Sequence, residues 1–581
     1  MRLQLNNFSK GLWILDGKET TMEGFIRRAT GAHELRTPTL RSRAGMADTT
    51  YTHTEDVRNI ISLNNSFYHS NFDGSTYKFY RDDTGVSIRT LNSAPNAMFK
   101  LPPQGGQDDS LFVVDGNNSF KVSSSSVVTN WGIVKPASGP TLADNGAGAM
   151  AAGTYFYAVT YRNTTTGSRS NPVLAGSIVL GANRQVRLTV IPTSADTQVN
   201  AREIWRTTAG GARYFKVGDI ADNVTTTYND NTADAALQSL ELQFDNLSPF
   251  SDFFLLDAWT TNDRRAWWIG NGAFSGSNVV LYSPPGRPES VRGFIFVGST
   301  DETLMKGISW NGANWVFSKK RIFRIFGEDE PFIAVPIDGT TGLDSETGIA
   351  ITPYGLAYVS PDGLYLFDGS RSVLIGFDEI SPFFRGETLE GLSPFVPGFR
   401  TCLFYYNQQL FLSQPQLSPE QTLVYSFRSQ SWRNLGVRLS CGYVYGAFVN
   451  AGVLGKIATI EYFNDPSVSI QDMSTAIPIE WEIGGALTDL AHYGTIQRLY
   501  LDINTRTEVI TVELIVDGVV VSLGTVTTSD ARTLVEFPVP SNWQTRVFSV
   551  RLTGSIAHRI ELFMLGVDVK LEGSNKEIGV G

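Results

Sequence analysis

GLAYVSPDGLYLFDG, residues Gly355–Gly369, shows on a small scale how this chain is built. Two apolar runs, Leu356–Val359 and Leu364–Phe367, flank Pro361-Asp362-Gly363, and the spacing predicts an antiparallel hairpin with a tight turn. The same texture repeats on both sides. Upstream lie RRAWWIGNG (Arg264–Gly272), VVLYSPPG (Val279–Gly286) and ANWVFSKKRIFRIFG (Ala313–Gly327), and downstream TCLFYYNQQLFLS (Thr401–Ser413) and LVYSFRSQSWRNLG (Leu423–Gly436). Each is an aromatic or apolar run cut by a turn-prone pair. Repetition of this kind, with a period too ragged for WD or kelch repeats, predicts a β-propeller. Shorter runs before it, TYKFY (Thr76–Tyr80), SIRTL (Ser87–Leu91) and the hairpin LFVVDGNNSFKV (Leu111–Val122), extend the pattern to residues 51–133.

A different texture interrupts it. Lys135–Gly148 is small and turn-rich and reads as a linker. In GTYFYAVTYRN (Gly153–Asn163), Tyr155, Tyr157, Val159 and Tyr161 share one face of an extended strand. The strands expected at Val186–Ile191, Ala201–Thr208, Ala212–Ile220 and Thr225–Asp230 complete the pattern of a sandwich. Without the Cys…Trp…Cys spacing of antibody domains, the fibronectin-III-like variant is the better description. From about Ser474 the strands lengthen. In TEVITVELIVDG, Ile510, Val512, Leu514 and Val516 make one apolar face, and the region reads as a β-sandwich or closing blades. The two stretches with helical potential are Asp56–Ser62 and Thr232–Gln243.

The expected fold is therefore all-β: a β-propeller with an inserted immunoglobulin/fibronectin-III-like β-sandwich and a C-terminal β-rich region. The parts are an N-terminal arm (1–50), propeller first part (51–133), insert (134–243), propeller second part (244–473), C-terminal sandwich or closing blades (474–573) and a flexible tail (574–581). Composition agrees. The chain has 581 residues, 42% hydrophobic, 12% aromatic and 18% charged, which suits several large cores and argues against disorder. Cys402 and Cys441 cannot staple a chain of this size and read as buried thiols in a reducing cytoplasm. The first nine residues lack the apolar core of a secretory signal, and no stretch approaches the roughly 18 apolar residues of a membrane-spanning helix.

The net charge of −10 argues against a protein that grips nucleic acid, but not against one that DNA passes. No P-loop, G-x-S-x-G elbow or H-E-x-x-H is present, and His33, His53, His69, His492 and His558 lack metal-ligand spacing. No metal, cofactor or catalytic site is expected. Acids clustered at Glu328, Asp329, Glu330, Asp338, Asp344 and Glu346 raise the rival of a glycosidase, which needs two carboxylates at a fixed separation. Trp267, Trp268, Trp310, Trp315 and Trp432 are candidate sugar-stacking residues in a lectin-like variant of that rival, or else buried blade aromatics. Arg27, Arg28, Arg36, Arg41 and Arg43 are candidate docking residues, because Arg favours interfaces. Glu328, Asp329 and Glu330, in GEDEPF, form a candidate acidic rim that would let a polyanion slide past; a solvated acidic loop is the plainer reading.

Three stretches together resemble the tail nozzle, or tail-stabilisation, proteins of short-tailed bacteriophages. They are NFSKGLWILDGK…GFIRRATG…LRTPTLRSRAGM (within 7–46), the insert GTYFYAVTYRN…REIWRTTAGGARYFKVGDIADNVTTTYND (within 153–230), and Ile322–Ser372. The resemblance implies a virion protein assembled in the host cytoplasm: a homo-oligomeric ring of about six copies below the portal and adaptor. Partners would be the tail adaptor protein and tail fibres or spikes, with transient, non-specific passage of phage DNA and no membrane insertion. The family supplies no catalytic motif, so no residue-level site comes with the likeness. A tail fibre or baseplate component is a third expectation.

Overall fold

The computed structural model describes residues 2–5, 28–30, 40–41, 46–81, 86–93, 97–102, 109–116, 118–242, 254–271, 278–339, 341–387, 392–418, 420–445, 448–460, 476–486, 493–540, 543–545 and 547–572. The chain is all-β, and it divides into two compact units, one of residues 1–62, 67–87 and 341–581, the other of residues 63–66 and 88–340.

The second unit contains three four-stranded antiparallel meanders, the blade unit of β-propellers. Their strands are Met98–Leu101, Ser110–Val113, Phe120–Val122 and Val128–Asn130; Phe254–Thr260, Ala266–Asn271, Val279–Tyr282 and Gly293–Phe296; and Leu304–Trp310, Ala313–Ser318, Ile322–Phe326 and Ile333–Asp338. Consecutive blades bury their faces against each other. Phe112 and Val114 pack with Leu255, Trp268 and Leu281. Trp259, Trp267 and Tyr282 pack with Val316, Phe323 and Phe332. The tryptophans are thus core: Trp267, Trp268 and Trp315 are buried, and Trp310 is half-buried.

Between the first two blades the chain builds a sandwich. One sheet orders Thr141–Met150, Arg184–Thr189 and Tyr228–Asp230; the other orders Val173–Leu180, Gly153–Arg162, Ala201–Thr207 and Tyr214–Ile220. Tyr155, Tyr157 and Val159 from one sheet share a core with Met150, Val186 and Leu188 from the other, while Phe156 between them is exposed, as strand alternation requires. The linker reading of Lys135–Gly148 is corrected, because Thr141–Met150 is a strand. Its small residues are accommodated by register shifts at Asp144/Ala147 and Ala147/Met150. The sandwich is fastened to the blades. Glu289 is buried and accepts hydrogen bonds from both Lys121 of the first blade and Ser168 of the insert, and Gln198 donates to the carbonyl of Gly132 at 2.9 Å.

The first unit adds two blades, Ile349–Thr352, Gly355–Ser360, Gly363–Phe367 and Ser372–Leu374, then Cys402–Tyr406, Gln409–Ser413, Leu423–Ser426 and Ser431–Asn434. The opening hairpin is present, with Ser360 paired to Gly363 across Pro361-Asp362. A further sheet joins distant parts of the chain, since Phe448–Ile460 pairs antiparallel with Met46–Leu63. Two-residue turns with both φ values positive close several hairpins: Asn407-Gln408, Asn311-Gly312 and Asp517-Gly518. Asp56–Ser62 is strand rather than helix, with Val57, Ile60 and Ile61 buried, and the described part of Thr232–Gln243 holds the 3₁₀ turn Asp234–Ala236 and a bridge from Glu241 to Phe215. The α-helix among the described residues is Phe377–Phe384, where the sequence pattern gave no warning of one.

The C-terminal region forms two packed sheets. Ile477–Ala486, Val547–Ile556, Ile510–Val516 and Val519–Val526 run on from the second of these blades through the short strand Arg28–Thr30. Opposite them, Glu561–Glu572 pairs with Arg2–Leu5, Leu40–Arg41 and Tyr493–Asn504, and Tyr493–Asn504 pairs in turn with Thr533–Pro538. Ile510, Val512, Leu514 and Val516 all face the core, and Val509 is exposed. Cys402 and Cys441 are both free and buried. Burial is the main cause that pushes the Cys402 thiol up to about 12. The tail 574–581 lies outside the described residues.

Candidate functional site

Of the five arginines expected to dock a partner, Arg27, Arg36 and Arg43 lie outside the described residues. The other two lie in sheet ladders. Arg28 stands opposite Glu482 in a strand that also pairs with the blade strand Ser431–Asn434 through Thr30 and Asn434. Arg41 stands opposite Glu561. The described part of this segment ties sheets together, and its backbone is used for pairing.

The acidic loop follows the blade strand Ile322–Phe326. Its three acids are exposed, but they are not alike. Asp329 has its side chain 93% exposed and lies 3.8 Å from the Arg265 guanidinium; Glu330 pairs with Arg292 at 3.2 Å. Glu328 instead lines a cavity of about 540 Å³ between the second and third blades of this unit. Two of the three acids expected at the rim therefore carry an arginine neighbour, which weakens a repelling wall at that point.

The cavity is built from two turns and a strand. Thr261 donates from its hydroxyl to Asp263 at 2.6 Å and accepts from the Trp267 indole at 3.0 Å. Asp263 is also held by Arg265, whose Nε donates to it at 3.1 Å while the guanidinium stacks over the ring of Phe332. On the other side Asn314 accepts from the Trp259 indole at 2.7 Å. Arg324 lies over the rings of Phe326, 4.5 Å from its centroid, and Trp315. The floor is buried (Trp267, Asn314, Ile325, Phe332) and the mouth exposed (Asn262, Gly312, Phe326, Glu328). Glu328 was singled out from sequence; Asn262 and Arg324 were not, because nothing local marks two residues from separate hairpins as neighbours.

Several of the remaining candidates serve the fold. Asp344 accepts from the Gly398 amide at 2.9 Å, and His69 bonds Asn71 while His558 bonds Glu508. His33 and His492 lie outside the described residues. Trp432 is buried and donates to the Gly376 carbonyl at 2.8 Å. Among the described residues no group of three His, Cys, Asp or Glu side chains could hold a metal, and no helix is long and apolar enough to cross a membrane.

Neither a family model nor a curated protein matches the chain. Solved structures similar to it include BamB from Moraxella catarrhalis (9% identity, 73% of this chain and 99% of that one, TM-score 0.32) and a streptogramin B lyase (10%, 72% and 97%, 0.26). An exo-β-1,3-galactanase from Phanerochaete chrysosporium also matches (10%, 65% and 95%, 0.17). At these scores the likenesses carry no argument about function, and the propeller-type blades rest on the strand pairing described above.

Proposed function

We propose that the chain is a structural subunit of an oligomeric ring at the end of a short phage tail, a nozzle that conducts DNA and docks neighbouring tail proteins. The observation that carries this reading is how the buried carboxylates are used. Glu203, Asp230, Asp257 and Glu289 are all buried, and each binds cations or hydroxyls that join strands. Glu203 takes Arg162, Arg169 and Lys216; Asp230 takes Arg206 and the Tyr157 hydroxyl; Asp257 takes Lys306. A glycosidase sets two carboxylates at a fixed separation on either side of the bond it cleaves, rather than using them to tie strands together.

Two further features support the reading. Phe296, Ile333 and Val335 are exposed on the outer strands of consecutive blades, which gives an assembly apolar surface to cover. The acidic balance of the chain suits a conduit that does not retain a polyanion. Native mass spectrometry and electron microscopy of the purified chain, with proteomics of purified virions, test it. A ring of several copies present in particles is expected. A monomer absent from virions, or glycoside turnover lost on replacing one carboxylate, overturns it.

A further inference from the structure

The cavity at Glu328 has a chemistry of its own. Several carboxylates near the surface among the described residues are occupied by their own turns: Asp222 accepts from the amides of Val224 and Thr225, and Asp368 from those of Ser370 and Arg371. At the cavity three planar polar groups keep their hydrogen-bonding capacity, although the Arg324 guanidinium also stacks over Phe326 and Trp315. The Asn262 amide, the Arg324 guanidinium and the Glu328 carboxylate make no side-chain hydrogen bond or ion pair among the described residues, yet all three line one space. One such group on a surface is merely hydrated. Three around one recess, beside the exposed ring of Phe326, form a recognition surface.

The charges identify the class of ligand. The lining holds two acids, Asp263 and Glu328, and one base, Arg324, while Arg265 lies against both Asp263 and Asp329, so no cluster of positive charge is present to hold an anion. What it offers is a mixture of donors and acceptors. Guanidinium donates only, ionised carboxylate accepts only, and an amide does both. Adjacent hydroxyls of a sugar, each a donor and an acceptor, match that mixture, and the C–H face of a sugar ring covers an aromatic ring. The volume, about 540 Å³, lies in the range of small-ligand sites.

We infer that this cavity binds a neutral sugar residue, with Glu328 and Asn262 on its hydroxyls, Arg324 as donor and Phe326 beneath its ring. The assignment is independent of the ring assembly: a nozzle that binds no sugar leaves that reading standing, and a sugar-binding monomer does the reverse.

The full chain is screened on an array of neutral glycans, and hits are titrated as free galactose, glucose, N-acetylglucosamine or their disaccharides by calorimetry. Glu328→Gln and Asn262→Ala are each expected to weaken a hit about tenfold, the worth of one hydrogen bond to a charged or polar partner. Phe326→Ala is expected to abolish it. Because the Glu328 and Asn262 side chains are exposed at the mouth, the thermal midpoint of those two variants stays at the parent value. No neutral sugar bound, affinity unchanged in all three variants, or inorganic phosphate bound in place of sugar overturns the assignment.

Discussion

Glu203→Gln tests the ionic centre of the inserted sandwich. The carboxylate is fully buried and accepts from Arg162 Nη1 at 2.8 Å, Arg169 Nη2 at 3.0 Å, Lys216 Nζ at 3.1 Å and the Thr160 hydroxyl at 3.1 Å. Glutamine keeps the shape but removes the charge and turns an amide donor toward cations. Breaking a buried ion pair costs about 3–5 kcal/mol. The lower end applies here, since the Arg162 and Arg169 side chains are 28% and 18% exposed and can turn to water, and Lys216 retains Asp219 at 2.8 Å. About 3 kcal/mol corresponds to a roughly hundredfold rise in local opening. Hydrogen exchange of peptides covering Ala201–Thr207 reads that rise directly. Glu241→Gln is the control, because its partner Arg213 is 76% exposed and a surface pair contributes under about 1 kcal/mol. Unchanged protection in Glu203→Gln, or an equal effect in the control, refutes the reasoning. The pH dependence follows from the same contacts. Burial pulls the Glu203 carboxyl upward, but the Arg169 hydrogen bond and the charges of Arg169, Lys216 and Arg162 outweigh it, so its folded value lies below the ordinary 4.5. Its stabilising contribution is therefore complete above about pH 4.5 and fades as pH falls through the lower folded value.

Three other outcomes are expected. Gly307→Ala places a methyl 2.1 Å from the Trp259 ring and should lower stability by about 1–3 kcal/mol or more in thermal unfolding; an unchanged midpoint would mean the blades separate freely there. Glu289→Gln leaves Lys121 buried without its counter-charge and should speed proteolytic cleavage within 135–140, whereas cleavage at the parent rate would show the insert held without that tie. Cys402, buried with its thiol pushed up to about 12, should resist alkylation until denaturant is added; rapid labelling of the native chain would contradict the packing.

Hairpins with Asp-Gly, Asn-Gly or Asn-Gln turns were legible because turn chemistry and alternation are local. The apolar face Ile510–Val516 and the tyrosine face of Gly153–Arg162 were legible for the same reason. What failed was decided by partners distant in sequence. Thr141–Met150 looks like a linker by composition and becomes a strand because Arg184–Thr189 pairs with it. Asp56–Ser62 has helical spacing, yet it lies in Met46–Leu63, a strand held between Phe448–Ile460 and Ser66–Phe72. Phe377–Phe384 carries Pro382 within it and so hid its helix. The acidic loop was visible as a charge run. That one of its acids opens onto a cavity was not, since the walls come from residues 261–267, 309–314 and 324–332.

Residues Arg2–Leu5 pair with Leu565–Asp568, strands separated by about 560 positions in sequence. Closing so long a loop slows folding, so this ladder forms after the blades, whose strands pair with near neighbours. Until then the Arg2–Leu5 backbone has no sheet to join. A chain truncated before residue 561 should leave this segment open to a chaperone, so this long-range pairing, rather than formation of any single blade, sets when the C-terminal sheets mature.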